Sequence, residues 1–516
     1  MDRAYGLKIN RRTYLGTVML LISIMILAGI LTLILPQGNY TYIEQDGREI
    51  IVSGSYREAE EQQKLPVWRW FTAPAEVLGT GQAVTAVMIM LFILLVGGSF
   101  LVLEQSGILS HLMYGVIRRC GDGDLLSDHT RDPLQKTETE GGIPGKSLTG
   151  THRALSGKYR LMGVMVLVCM LLGSTMGLFE ETVTLVPITV ALALVLGWDS
   201  LVGIGMSILS VGFGFAAGTF NPFTLGVTQK LADLPMFSGI LFRIVFFLII
   251  YVLLYLFLYR YAKQIETDPT RSKVYEQDIA ARTRYRDDLS RVNAGDPDKR
   301  RAILFFLAAL CLVFAYVTAG FFVPALQEFS MPVMAVLFTA GALISGRIAG
   351  LRKGLFSVFL RGMGSIAPSV LLILLAMSVT HIMREGNIID TILNFFYHRI
   401  EGLGTYGGAI ALFALVLVLE FFISGSASKA FLLIPIVIPL AEMIGITRQT
   451  AVQAFVLGDG FANMLFPTNV VLLITLGIAG IPYGHWFKWT WKLQLALFIL
   501  SVITVTIAVA IGYGPF

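Results

Sequence analysis

The sequence predicts an all-α polytopic membrane protein built from inverted repeats, with two re-entrant helical hairpins, two discontinuous spans and about nine transmembrane crossings. Three observations predict it. The chain is 55% hydrophobic and only 14% charged, with a mean hydropathy of +0.73, where a soluble chain carries roughly 25% charge. Many apolar runs reach the roughly 20 residues that cross a bilayer. Two apolar stretches, 173–221 and 424–469, each break twice into small and polar residues. These stretches share one register. Pro187 matches Pro435, Gly197 matches Gly445, Gly212 matches Gly460 and Asn221 matches Asn469, each pair 248 apart (460 minus 212, for example). Four ungapped matches at breaks of the same kind outweigh chance, even in a chain rich in glycine.

Residues 1–12 are basic, with Arg3, Lys8, Arg11 and Arg12, and precede an apolar run at 14–36. That run is too long for a signal-peptide core and lacks a small-residue cleavage site, so it reads as a retained span with the N-terminus in the cytoplasm. The polar stretch 37–75 reads as an outside loop, ending in the interface anchors Trp68, Trp70 and Phe71. A span follows at 83–103. Next comes an amphipathic surface helix at 106–119, with Ile108, Leu109, Leu112, Met113, Val116 and Ile117 on one face. The hydrophilic stretch 121–159 reads as a mobile cytoplasmic loop.

The run at 161–197 carries a polar break in its middle and admits two readings, a pair of full spans or a re-entrant hairpin. The tip has no loop long enough to leave the bilayer, and Glu180-Glu181 are followed at once by Val183-Thr184-Leu185-Val186, which favours the hairpin. Irregular backbone at that depth is tolerated only where protein or a water-filled cavity covers it. A broken span at 201–234 and a return at 237–259 complete the first repeat. The loop 260–301 holds eleven Lys and Arg against eight acids and belongs in the cytoplasm.

Spans at 302–323 and 331–345 link the halves. Arg347, Arg352, Lys353 and Arg361 place the next amphipathic piece inside, and 365–383 crosses outward. A second surface helix at 384–401 carries Ile388, Ile389, Ile392, Leu393 and Phe396 on its apolar face. The second hairpin covers 406–445, the second broken span 447–481 and the last span 486–511. The first hairpin enters from the cytoplasm and the second from outside, as alternating access around a central site uses. The divisions are 1–75, the N-terminal span and outside loop; 76–262, the first repeat; 263–301, a cytoplasmic loop; 302–346, two linking spans; and 347–516, the second repeat. The expected location is the cytoplasmic (inner) membrane, multi-pass, with the C-terminus outside. A homodimer is left open.

The net charge of +5 sits in loops beside spans, where it sets orientation and does not indicate nucleic acid. Three cysteines show no CxxC, six histidines no HExxH. No GxxxxGK loop is present, which counts against an ATP-driven pump on this chain.

An unwound helix exposes carbonyls that coordinate cations and amides that attract carboxylates. Ser174, Thr175, Asn221 and Thr224 offer oxygens around the first site, and Ser424, Ser426, Ser428, Thr468 and Asn469 around the second. The plainer alternative is that these residues repair the helix breaks. Charges at mid-membrane cost about 2.5 to 3.5 kcal/mol each on insertion scales and default to function. The 248 register sets Glu181 opposite Lys429, an acid and a base facing a charged solute, with Glu180 in support. A structural Glu181–Lys429 ion pair is the alternative. Asp459, between two glycines, is the expected carrier of the coupling ion, a proton or sodium, with Asn221 and Asn469 as further ion ligands; its alternative is a capping acid. Glu420 stands four residues before the second tip and backs it up. Arg243 is expected to snorkel to the interface.

Gly173-Ser174-Thr175 through Phe179-Glu180-Glu181-Thr182, Ser424 through Lys429, Gly458-Asp459-Gly460-Phe461 and Phe466-Pro467-Thr468 together resemble the YfcC-type branch of the four-carbon-dicarboxylate anaerobic carrier family, within the ion transporter superfamily. The resemblance covers nearly all of the membrane region. It implies a secondary transporter with inverted repeats, two re-entrant hairpins and carboxylate-bearing substrates, either dicarboxylates or basic amino acids. The tips read Gly-Ser-Thr and Ser-Gly-Ser, not the Ser-Asn-Thr of sodium-coupled dicarboxylate symporters elsewhere in the superfamily, which counts against sodium. The leading expectation is an ion-coupled symporter or exchanger, and not an enzyme. A channel would need a continuous pore. An intramembrane enzyme would need a Gly-x-Gly-Asp motif within a span or a metal cluster, and no span carries either. Two acids at one tip against one base at the other favour an amino acid over a dicarboxylate.

Overall fold

The structure is a computed structural model that describes residues 11–45, 48–51, 54–60, 62, 64–80, 83–119, 148–290, 292, 295–320, 330–400, 402–423 and 426–514. Within them, six helices are long and apolar enough to cross a membrane: Tyr14–Ile34, Ala86–Gln105, Gly157–Met176, Ser200–Ala217, Ile240–Thr267 and Tyr483–Ala510. A pair bent by 42°, Leu355–Ile366 with Val370–Glu385, adds a further candidate. Shorter apolar helices stand at Pro332–Ile348, Gly404–Glu420 and Val470–Ala479.

Apolar side chains point outward where lipid belongs. Along Ile240–Thr267, Leu241, Ile244, Val245, Leu248, Val252 and Leu256 are exposed. Phe246, Phe247, Ile250, Leu254 and Leu258 of the same helix are buried. Both stripes are apolar, and a water-soluble protein does not leave one of them bare. Ser200–Ala217 behaves differently, with its whole length buried. Every residue from Gln449 to Ala462 is buried as well. The two broken spans therefore form the centre of the bundle.

Glycine lets them meet. A Cβ on Gly460 would lie 2.2 Å from the Cα of Ala216, and a Cβ on Gly212 would lie 2.5 Å from Cγ of Met464. Ala216 and Met464 are 248 apart (464 minus 216), the register of Gly212 and Gly460. The contact is thus reciprocal, as across a two-fold axis. Small residues at such crossings let helix backbones approach closely in a membrane.

The register extends to the helix ends. Gly197 and Gly445 both have positive φ, +87° and +76°. Past them, Trp198 N donates to Ala193 O and Ile446 N to Ala441 O, each at 2.9 Å, the bond of a left-handed helix stop. The next residues, Asp199 and Thr447, are N-caps whose side chains accept from Val202 N and Thr450 N.

Around this centre, Gly38–Asn39 pairs antiparallel with Arg57–Glu58 and Tyr42–Gln45 with Arg48–Ile51, in registers Gly38↔Glu58 and Tyr42↔Ile51. Trp70 is not an interface anchor. It is buried against Gly29, where a Cβ would lie 2.3 Å from the indole, while Trp68 and Phe71 are exposed. The two amphipathic helices occupy Ile108–Arg119 and Ile389–Ile400. The expected loop at 121–159 falls outside the described residues up to 147, and from Leu148 the chain is helical to Leu171. In the 260–301 loop, helix Tyr275–Ser290 docks through Asp278, which accepts from Ser200 N at 2.7 Å and Ser200 Oγ at 2.5 Å. Beside it, Tyr261 Oη donates to Asp199 Oδ2 at 2.8 Å.

Candidate functional site

Helix Leu148–Leu171 widens into a single π turn, Leu172–Met176, and stops at Gly177 with φ +66°. Turns of this kind favour functional sites. Gly173 admits the neighbouring backbone, since a Cβ there would lie 2.2 Å from Val211 O. Fully buried Ser174 then sews the tip to the break of the adjacent span. Its Oγ lies 2.9 Å from Thr219 Oγ1 and accepts from Thr219 N at 3.1 Å, and its carbonyl accepts from Phe220 N at 3.0 Å. Thr175 bonds back to Leu171 O at 2.7 Å.

Glu180 and Glu181 open the 3₁₀ turn Glu180–Leu185. Glu180 is exposed and Glu181 half-exposed. Glu181 Oε2 accepts from Phe179 N at 3.2 Å.

Both asparagines cap a half-helix. Asn221 Oδ1 accepts from Thr224 N at 3.2 Å, and Asn469 Oδ1 accepts from Leu472 N at 3.1 Å. The capping oxygen is the atom a coordinated cation would use. Asn469 Nδ2 also donates to Asn463 Oδ1 at 2.8 Å, and Asn463 Nδ2 to Asp459 O at 3.1 Å.

Lys429 is among the largest fully buried side chains. Its Nζ lies 2.6 Å from Asp459 Oδ1 and also contacts Glu420 Oε2. Both acids are buried too. The ammonium therefore does not face Glu181. Positions matched by the 248 register need not touch, and Gly212 meets Met464, not Gly460. A buried ammonium also needs charge close at hand. Gly458 supplies the approach. A Cβ there would lie 2.8 Å from Val416 Cβ, so helix Arg448–Ala462 presses against Gly404–Glu420 and brings Asp459 to Glu420's neighbourhood. Asp459 lies inside an unbroken helix, and the break begins at Asn463, so it caps nothing.

Asp459 Oδ2 and Thr468 Oγ1 are buried without a hydrogen-bond partner. Ser426 is half-buried, whereas Ser424 and the side chain of Ser428 lie outside the described residues. Arg243 does not snorkel. It is fully buried, with Nε donating to Gln453 Oε1 at 3.0 Å and Nη1 to Ser238 O at 2.7 Å. The signal for this was present in Gln449 and Gln453, two amides one turn apart in the second broken span.

With all three groups ionised, Glu420, Lys429 and Asp459 sum to one negative charge. One proton or one monovalent cation would discharge it. The model of the C4-dicarboxylate anaerobic carrier family matches residues 16–124 and 145–510 of this chain. The chain belongs to that family. C4-dicarboxylate anaerobic carriers are membrane transporters and not enzymes. An Escherichia coli (strain K12) protein with the provisional name basic amino acid antiporter YfcC is 26% identical over 504 residues, 92% of each chain. An uncharacterized Haemophilus influenzae protein is 30% identical over 317 residues, 61% of each. Among solved structures, the Alcanivorax borkumensis YdaH transporter is 16% identical, with 98% of this chain and 99% of that one covered and a TM-score of 0.38. Neisseria gonorrhoeae MtrF is 15% identical, with 96% and 95% covered and a TM-score of 0.41. The family assignment rests on the family match alone.

Proposed function

We propose that this carrier moves a small amino acid by alternating access, coupled to one cation through Glu420, Lys429 and Asp459. The observation that carries the reading is the buried two-acid, one-base cluster. A net negative charge held in apolar surroundings is costly and marks an ion pathway. Loading a cation from one side and releasing it to the other turns that cost into coupling. A proton is favoured over sodium, because the tips lack the Ser-Asn-Thr pattern.

Lys429 is occupied inside the cluster, which leaves Glu180 and Glu181 as the tip charges open to a solute. A dicarboxylate would be repelled there and an ammonium group held. The provisional name of the E. coli relative agrees with this preference. The reading includes two re-entrant hairpins and nine crossings. Helix Val186–Val195 has 10 residues, about 15 Å against a hydrocarbon thickness of roughly 30 Å. The reciprocal contacts of Gly212 with Met464 and of Gly460 with Ala216 support inverted repeats.

Purified protein in liposomes tests it by counterflow of labelled lysine, alanine and succinate. Saturable counterflow of an amino acid is expected. Succinate counterflow without amino-acid counterflow would sink the substrate assignment, and ohmic conductance the carrier mechanism. For orientation in the inner membrane, cysteine at exposed Lys273 should label only from the cytoplasmic side and at exposed Trp68 only from outside.

A further inference from the structure

Arg243 stands three residues inside helix Ile240–Thr267 and is completely buried. Among the described residues, no carboxylate lies within ion-pair distance of it. Its neighbours are neutral: Gln453 Oε1 at 3.0 Å from Nε, Ser238 O at 2.7 Å from Nη1, and the Tyr513 ring with its centroid 6.0 Å from Cζ. A buried cation without a counter-charge is expensive, so the bonds that are missing are informative. Nη2 is buried with no hydrogen-bond partner, and so is Nε2 of Gln453.

Nε and Nη2 form the edge of a guanidinium that grips a carboxylate through two parallel bonds. Here one neutral oxygen, Gln453 Oε1, serves half of that edge. Because Oε1 faces the arginine, the Gln453 amide nitrogen is left as a second donor without an acceptor. Two donors and one positive charge, all shielded from water, match a single carboxylate group. The surroundings are fixed by Gln229, whose Nε2 donates to Ser238 O at 3.0 Å, and by Gln449, whose Nε2 donates to the same carbonyl at 2.5 Å.

We propose that Arg243 and Gln453 form a carboxylate-binding site separate from the Glu420–Lys429–Asp459 cluster. Gln453 is six residues from Asp459, about 9 Å along one helix and on a different face. The carboxylate could belong to the transported solute or to a free organic anion, and the test tells these apart.

The test reads binding by thermal unfolding of the full chain in detergent, at constant pH and ionic strength, so it does not depend on transport. Sodium acetate, lysine and lysine methyl ester are the probes. Acetate is expected to raise the unfolding midpoint by about 2 °C or more at saturation. Arg243→Gln should abolish the rise. Gln453→Met, which keeps the arginine and removes one donor, should reduce it at least by half and covers the case in which Arg243→Gln does not fold. Protection by lysine and not by its methyl ester, lost in the same variants, identifies the solute's own carboxylate. Protection by acetate alone identifies a free anion. No rise with acetate or lysine in the parent protein, or an undiminished rise in Gln453→Met and Arg243→Gln, overturns the proposal and leaves Arg243 as a tie between helices.

Discussion

Replacing Asp459 by asparagine changes one charge and almost no volume, at the centre of the bundle. The parent cluster holds two acids and one base, all buried. Asp459→Asn leaves Lys429 paired with Glu420, a balanced pair. Lys429→Gln instead leaves two buried carboxylates without a base. Removing one partner of a buried ion pair costs about 3–5 kcal/mol, because a charge is stranded. Lys429→Gln should therefore carry that full cost and unfold far more readily than Asp459→Asn. Transport should show the opposite order of interest. One elementary charge moved across 100 mV is worth about 2.3 kcal/mol, and at 1.4 kcal/mol per decade that is an accumulation of roughly fifty-fold. In liposomes with an imposed gradient, Asp459→Asn should lose this accumulation and fall to equilibration, while solute exchange at zero gradient persists. Normal accumulation by Asp459→Asn would remove the cluster from coupling. Equal thermal stability of the two variants would show that Lys429 is not held by buried acids.

Three further perturbations follow from the geometry. Glu181→Gln removes a half-exposed charge and should weaken an ammonium-bearing solute about tenfold or more, the worth of one charge-assisted hydrogen bond, while sparing succinate; competition binding reads both. Gly460→Ala forces a Cβ to 2.2 Å from backbone, whereas Gly212→Ala meets the flexible side chain of Met464; the first should cost about 3 kcal/mol and the second about 1 kcal/mol, measured as unfolding midpoints, and equal effects would contradict the close crossing. Burial and the Asp199 charge push the Asp278 carboxyl, in the loop helix outside the spans, up to about 7 from 3.8. A carboxyl raised by folding stabilises below its unfolded value and loses that contribution as pH rises through 4 to 7, up to roughly 4 kcal/mol. Asp278→Asn should flatten the fall in melting temperature over that window, and an unchanged slope would place the titration elsewhere.

The architecture was largely legible because membrane folding writes its rules along the chain. Apolar length gives spans, and a helix that must stop inside or at the edge of a bilayer needs left-handed glycines and capping side chains. Gly197, Asp199 and Asn221, with Gly445, Thr447 and Asn469, fill those positions, so a repeat read from letters reappears as hydrogen bonds. Side-chain pairing was not legible from the same register. The register states which positions are equivalent. It does not state which are adjacent, and adjacency placed Lys429 with Glu420 and Asp459 and left Glu181 to bond locally. Arg243 was misread for a related reason. Nearness to a helix end suggests escape to water, but the segment 232–239 and helix Arg448–Ala462 close over it, a long-range fact with no local mark beyond Gln449 and Gln453.

The two repeats agree where structure is at stake and differ where charge is. Capping glycines, N-caps and the crossing pair recur at an offset of 248. At the same offset Lys429 corresponds to Glu181, Asp459 to Val211, Glu420 to Leu172 and Gln453 to Gly205. In the first repeat Leu258 packs against Gly205, its Cδ2 2.4 Å from where a Cβ would lie. A scaffold that needed ion pairs for stability would gain equally from them in both halves. The buried Glu420–Lys429–Asp459 cluster has no counterpart at Leu172, Glu181 and Val211, and a buried ion cluster is weak evidence for stability. That one-sidedness is the ground for proposing the second repeat's cluster as the cation site and the first repeat's Glu180 and Glu181 as the ammonium site. In the proposed alternating access, the halves would move against each other where Gly212 meets Met464 and Gly460 meets Ala216.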